Sequence, residues 1–294
     1  MDLLLLCAGA GKKDFSGDPV DRPLRTKGKR QAQKIGAYLG REGLRPEQVV
    51  SSNHLRSRVS AEKSLKAAGW TARDIGAASD IGSAAHTFIR QKGPNLVVAP
   101  ASSIRTLVRS FGLLPELDMQ IGAGVLLCLK SAPEAVRVLG QVNPKDLPDH
   151  FPYPAPDGPD RRERPAYYYH QSAVIPVRRT GIGTEVLIVR SSSGRYWTIP
   201  KGIVEPGLSP SASAAVEARE EAGVAGSISS TPLGHYRYAK WGAACEVTVF
   251  SMDVTTVLTG TAWEERHRGR TWLSPLLAAE RMKEPALRDL ILSL

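Results

Sequence analysis

The chain has 294 residues, 42% of them hydrophobic and 23% charged, with a formal net charge of +10. That composition excludes a disordered or fibrous chain, and the length suffices for two domains that each bury a core. With no run of about 18 apolar residues, an acid where a signal peptide needs a base, and three scattered cysteines without disulfide or metal spacing, a cytoplasmic protein with no membrane partner is expected.

Residues 1–165 carry a net charge of +8 and residues 166–294 a net charge of +2. A positive field draws anions such as polyphosphates or nucleic acid, and an Arg-rich solvated surface produces the same count. No nucleic-acid motif accompanies the charge, so binding of DNA or RNA is not expected.

The first segment alternates strand and helix patterns. Leu3–Leu6 reads as a buried strand, Thr26–Gly40 as a helix, Gln48–Ser51 as a strand and Leu55–Ala68 as a helix. Leu96–Ala99 is a strand, Ser102–Phe111 a helix and Gly124–Leu129 a strand. Such alternation predicts an α/β sandwich with a mostly parallel sheet over residues 1–142. Residues 143–165 hold Pro144, Pro148, Pro152, Pro154, Pro156, Pro159 and Pro165 with Asp157-Gly158, and are read as a linker.

Residues 166–294 read as α+β with a mixed sheet. Strands are expected at Ser172–Arg178, Glu185–Arg190, Trp197–Pro200, Tyr236–Tyr238, Glu246–Val254 and Arg270–Leu273, and helices at Ser211–Ala222, Leu276–Arg281 and Pro285–Leu294. The helix at 211–222 is the most informative. Ser209-Pro210 supplies an N-cap with proline in the first turn, and Gly223 suits a left-handed end. Between them Glu217, Glu220 and Glu221 share one face. Like charges one turn apart repel, so the cluster asks for a cation, and dense carboxylate oxygen suits Mg²⁺ or Mn²⁺. A solvated acidic helix face is the plain alternative.

The stretch from Gly202 to Val224 resembles the signature of the Nudix hydrolases, G-x5-E-x7-R-E-U-x-E-E-x-G-U with U aliphatic. Gly202, Glu217, Ala218, Glu220, Glu221, Gly223 and Val224 agree with it, while Leu208 stands where the family has Glu and Val216 where it has Arg. The flanks, including Tyr196-Trp197-Thr198-Ile199-Pro200-Lys201, Tyr236-Arg237-Tyr238-Ala239-Lys240-Trp241 and Trp263-Glu264-Glu265, resemble the diphosphoinositol and diadenosine polyphosphate phosphohydrolase branch. The resemblance implies an α/β/α sandwich and metal-assisted hydrolysis of a phosphoanhydride in a nucleoside, dinucleoside or diphosphoinositol polyphosphate. It implies Glu217, Glu220 and Glu221 as Mg²⁺ ligands, with the Gly202 carbonyl as a further one. One of these acids, or Glu264 or Glu265, would activate the water. Arg195, Lys201 and Lys240 are candidates to bind phosphate, and Tyr236, Tyr238 and Trp241 to stack a base or simply to pack. The family arginine helps hold the loop–helix–loop. Val216 cannot, so packing is expected to orient the helix instead.

In the first segment, Asp21-Arg22-Pro23-Leu24-Arg25-Thr26-Lys27-Gly28 and Ser51-Ser52-Asn53-His54-Leu55-Arg56-Ser57-Arg58 resemble the phosphohistidine-phosphatase branch of the histidine phosphatase superfamily. Those enzymes need an Arg-His-Gly after the first strand and a second His after a later one. Here Cys7-Ala8-Gly9 and Val98-Ala99-Pro100-Ala101 stand in those places, and of the expected Arg/His set only Arg56 remains. A catalytically inactive domain is therefore expected, with Cys7 buried and His54 and His86 on the surface or in loops; the alternative is a domain that still dephosphorylates through Cys7 as nucleophile. Its remaining role could be anion binding, support of the second domain, or formation of a homo-oligomer. A different class also stays open for the whole chain, a sensor that binds a phosphorylated ligand at two degenerate sites without turnover.

Overall fold

The computed structural model describes residues 2–91, 93–113, 120–132, 135–153, 161–181 and 183–294. The chain divides into two compact units, Met1–Pro152 and Tyr153–Leu294. No helix among the described residues is long and apolar enough to cross a membrane. Of the proline-rich segment, Pro154, Pro156, Asp157, Gly158 and Pro159 lie outside the described residues.

The first unit is an α/β sandwich around a six-stranded sheet. Its strands are β1 (Leu3–Cys7), β2 (Val49–Ser52), β3 (Ile75–Ala78), β4 (Asn95–Ala99), β5 (Leu126–Ser131) and β6 (Val136–Val142), in the order β3-β2-β4-β1-β5-β6. The first four run parallel, and β5 and β6 are antiparallel to their neighbours. Leu3, Leu5 and Cys7 face one way and pack with α3 (Ile81–Phe88) and α4 (Ala101–Ser110). Leu4 and Leu6 face the other way, under α1 (Thr26–Arg41) and α2 (Leu55–Ala67). A strand buried on both faces needs the unbroken apolar run that Leu3–Leu6 provides. After β6, Lys34 Nζ donates to the carbonyls of Pro144 (3.2 Å) and Leu147 (2.9 Å) and pairs with Asp149 at 2.7 Å, tying that stretch to α1. The unit ends in a two-residue strand, β7 (Phe151–Pro152).

Strands β3 and β6 and helix α3 were not anticipated from the sequence. Consequently His86 lies within a helix rather than a loop, against Phe111 with ring centroids 4.6 Å apart. His54 precedes the first turn of α2.

The second unit is built on a mixed sheet with helices on both faces. After the short β8 (Arg161–Arg162), its strands are β9 (His170–Thr180), β10 (Gly183–Arg190), β11 (Trp197–Thr198), β12 (Lys201–Ile203), β13 (Val224–Ile228), β14 (Gly234–Lys240), β15 (Ala243–Val257) and β16 (Arg270–Leu273). The path β11-β10-β9-β15-β13 is joined by β12 on β9, β14 on β15 and β16 on β10, with only β9 and β15 parallel. Helix α5 (Pro210–Ala222) lays Ala214, Ala218 and Ala222 on Val174, Leu187, Val189 and Phe250. On the opposite face, Ala278, Ala279, Leu287 and Ile291 of α6 (Pro275–Glu280) and α7 (Pro285–Leu292) pack on Ala173, Ile175, Val186 and Ile188. This alternation along β9 and β10 is the period-two pattern of a sheet covered twice. Strands β12 and β13 were not anticipated, and the strand expected over Trp197–Pro200 has only two residues.

Candidate active site

The acidic helix begins and ends on local chemistry. Ser209 Oγ accepts from the Ala212 amide at 3.2 Å, and Pro210 opens the first turn. Gly223 closes the helix at φ 61°, ψ 40°, and a Cβ there would meet Trp263 at 2.5 Å and Arg270 Nη1 at 2.7 Å. Only glycine satisfies both demands.

The small residues of α5 let the helix lie close to β9, which brings Glu217 over β12. There the Glu217 carboxylate fills the space a side chain at residue 202 would take: a Cβ on Gly202 would lie 1.7 Å from Oε1. Glu221 is 7% exposed and accepts from the Lys201 backbone amide at 3.1 Å. Its other oxygen is 2.7 Å from Nη2 of Arg268. Arg268 also donates through Nε to Glu265. Glu220 lies toward Glu264, Glu265 and Glu205, and Glu264 is exposed.

These carboxylates are held above their ordinary range. Burial pushes Glu217 up to about 8, with Glu221, Glu220 and Glu265 adding repulsion. Burial raises Glu221 to about 6, opposed chiefly by Arg268. Glu220 is raised by burial and then by Glu264, Glu265 and Glu205. Glu205, in the loop before α5, was not singled out from the sequence. Among the described residues no three His, Cys, Asp or Glu side chains are gathered tightly enough to hold an ion by themselves. The fit to a divalent cation rests instead on hard oxygen donors, on surplus negative charge along one helix face, and on the Gly202 notch.

Beside the acids lies a pocket of about 470 Å³ lined by Tyr196, Trp197, Lys201, Tyr236, Tyr238, Lys240, Lys283 and Glu284, among others. Four expected substrate contacts meet there: Lys201, Tyr236, Tyr238 and Lys240. Lys201 Nζ donates to Tyr238 Oη at 3.1 Å and sits 4.7 Å from that ring's centre, and Tyr238 Oη donates to Gln171 at 2.8 Å. Burial lowers the Lys201 pKa, an effect opposed first by Glu221. Arg195 is exposed and stands outside the lining, because the turn before β11 points it to solvent. Trp241 is also outside it. It sits in the β14–β15 turn at φ 52°, its carbonyl accepting from Tyr169 Oη at 2.9 Å and Tyr168 edge-on to its ring. It packs there as the alternative reading had it. Tyr196, Trp197, Lys283 and Glu284 were missed as site residues. The first two belong to the Tyr196–Lys201 flank, but nothing in the spacing of Lys283 and Glu284 brings α7's entry to β14.

The family model for the NUDIX domain matches residues 168–293. The second unit carries a Nudix domain. No curated protein matches the chain significantly. Among solved structures, the second half is similar to an Ap4A hydrolase from C. elegans, at 19% identity over 42% of this chain and 92% of that one, TM-score 0.37. The first half is similar to the protein histidine phosphatase SixA in complex with tungstate, at 15% identity over 50% of this chain and 99% of that one, TM-score 0.44. It is similar also to a phosphohistidine phosphatase SixA from Agrobacterium tumefaciens, at 15% identity over 48% and 96%, TM-score 0.40.

Outside the Nudix domain, Cys7 is fully buried at the end of β1, and burial pushes its thiol up to about 12. Arg56 stands in the first turn of α2, its pKa lowered by burial and by Arg22.

Proposed function

We propose that the Nudix domain hydrolyses a phosphoanhydride bond in a nucleoside or dinucleoside polyphosphate. The observation that carries this is Lys201, whose main chain braces Glu221 while its side chain lines the pocket. One residue thus sets the acidic helix beside a cavity of aromatic rings and lysines. Rings suit a nucleobase and ammonium groups suit phosphate, which favours a nucleotide over a diphosphoinositol polyphosphate. Trp197, Tyr236 and Tyr238 would border the base, with Lys201, Lys240 and Lys283 on the phosphates.

Glu217, Glu220, Glu221 and the Gly202 carbonyl would hold Mg²⁺ or Mn²⁺. Bound there, such an ion would supply Lewis-acid chemistry, favouring the hydroxide form of an attacking water. Of the two loop acids, Glu265 is engaged by Arg268 and Glu264 is exposed beside Glu220. Glu264 is therefore the better placed to take the water's proton, and Glu265 to order the loop. In the first unit, an alanine at residue 8 and a buried Cys7 that stays a neutral thiol supply no nucleophile. We infer that this unit does no phosphoryl chemistry.

The test is phosphate or pyrophosphate release from dinucleoside polyphosphates, nucleoside triphosphates and diphosphoinositol phosphates with Mg²⁺. Turnover of a nucleotide, lost by about 100-fold or more in Glu217→Gln and Glu221→Gln, is expected, with Cys7→Ser unchanged. Tight binding without turnover of any member would make the chain a sensor instead, the reading that Leu208 and Val216 favour.

A further inference from the structure

The segment between β15 and β16, with Arg270 at the start of β16, returns to the last turn of α5 and is fastened there by five side chains or amides. The Leu258 amide donates to the Gly223 carbonyl at 2.7 Å. The Glu265 amide donates to the Glu220 carbonyl at 3.1 Å, and Trp263 Nε1 to the Glu221 carbonyl at 3.2 Å. Arg270 donates to the carbonyls of Ala222 (2.7 Å), Gly223 (2.9 Å) and Leu258 (2.7 Å), and stacks on Trp263 at 4.2 Å. The contacts to Glu220, Glu221 and Ala222 satisfy carbonyls at the end of the helix that have no intrahelical partner. Arg268 differs from them because it alone binds the acids by their side chains, with Nη2 on Glu221 and Nε on Glu265.

The Arg268 and Glu221 side chains are only 10% and 9% exposed. Solvent screens such a pair weakly, unlike a surface bridge, and removing one partner strands a buried charge. A guanidinium offers its N–H groups in a rigid plane, so two carboxylates on one edge are fixed relative to each other as well as to the arginine. An ammonium attracts both but fixes neither direction. Meanwhile Val216, which precedes Glu217 on the helix, is 42% exposed and has no hydrogen-bonding group to hold any of the acids.

We propose that Arg268 is the positioning residue of the acidic site: its guanidinium, shared between Glu221 of α5 and Glu265 of the following loop, locks that loop and its two glutamates onto the helix. The chain thereby fixes its acids from a distant segment rather than from the helix itself. For its effect on rate, the proposal rests on the hydrolase reading above.

The test compares Arg268→Lys, Glu265→Gln and the double variant in the full chain, with two readouts. The first is kcat and KM for the nucleotide polyphosphate turned over in Mg²⁺. The second is amide hydrogen exchange of residues 259–269 in chelator, with melting temperature as the control for folding. Each single variant is expected to lower kcat about tenfold with KM within about twofold. Each should also speed exchange in 259–269, and the double should be no worse than Arg268→Lys, in which the Arg268–Glu265 arm is already lost. Wild-type kcat together with wild-type exchange in Arg268→Lys would overturn the proposal. A raised KM at unchanged kcat would also overturn it, by placing Arg268 on the substrate. If the wild-type chain turns over nothing, the hydrolase reading fails, and exchange alone then decides whether the lock exists.

Discussion

Glu217 is the acid under the greatest stress, held up to about 8 by burial and by three neighbouring carboxylates. Between its unfolded pKa of 4.5 and about 8, the folded chain binds more protons at this group than the unfolded chain does. Its contribution to stability is therefore lost progressively as pH rises through that window. In chelator, the melting temperature at pH 8 relative to pH 5 should improve by about 5 °C in Glu217→Gln compared with wild type. Equal pH dependence in the two proteins would refute the strain. Gly202→Ala is the complementary test, since its methyl would claim the carboxylate's place. Circular dichroism should stay native while kcat falls about 100-fold. The three glutamates were legible because their i, i+3, i+4 spacing is local. Arg268 was not, because its partnership with Glu221 exists only after β15 has crossed the sheet.

At the scale of elements, α5 was readable from both ends, with Ser209-Pro210 opening it and Gly223 stopping it. The same chemistry at Asp80, whose side chain accepts from the Gly82 and Ser83 amides, marks the start of α3 and went unused. Strand β3 is Ile-Gly-Ala-Ala, too small and too weakly apolar to stand out, and it forms because β2 offers a parallel edge. Strand β6 exposes Val138 and Leu139 and has no buried face to impose a period. Tertiary pairing, rather than local propensity, makes these strands. The end of α5 yields its own prediction: Gly223→Ala forces an alanine to φ +61° and into Trp263 and Arg270. It should cost about 2 kcal/mol in urea unfolding. Arg270→Ala, which removes the donor to the Ala222 and Leu258 carbonyls without straining the backbone, should cost about 1 kcal/mol.

The whole molecule consists of two units with separate cores, so a single two-state transition is not expected. Scanning calorimetry with Mg²⁺ and a non-hydrolysable nucleotide polyphosphate should raise one transition and leave the other in place, by linkage to the unit that binds. Movement of both, or of neither, would contradict a ligand site confined to the Nudix domain. The mixed sheet and the mostly parallel sheet were both visible in the order of strand and helix patterns. The pocket was visible only in its β12 and β14 walls, since the wall from Met282 to Leu287 arrives from the chain's far end.

Lys201 serves one neighbour through its amide and another through its ammonium. Because any residue but proline retains the amide, replacing the lysine with methionine keeps Glu221 braced while erasing a charge from the cavity. On the hydrolase reading, ligand preference would therefore drift by mutation at residue 201, one hydrogen bond from Glu221, with the acidic helix unchanged.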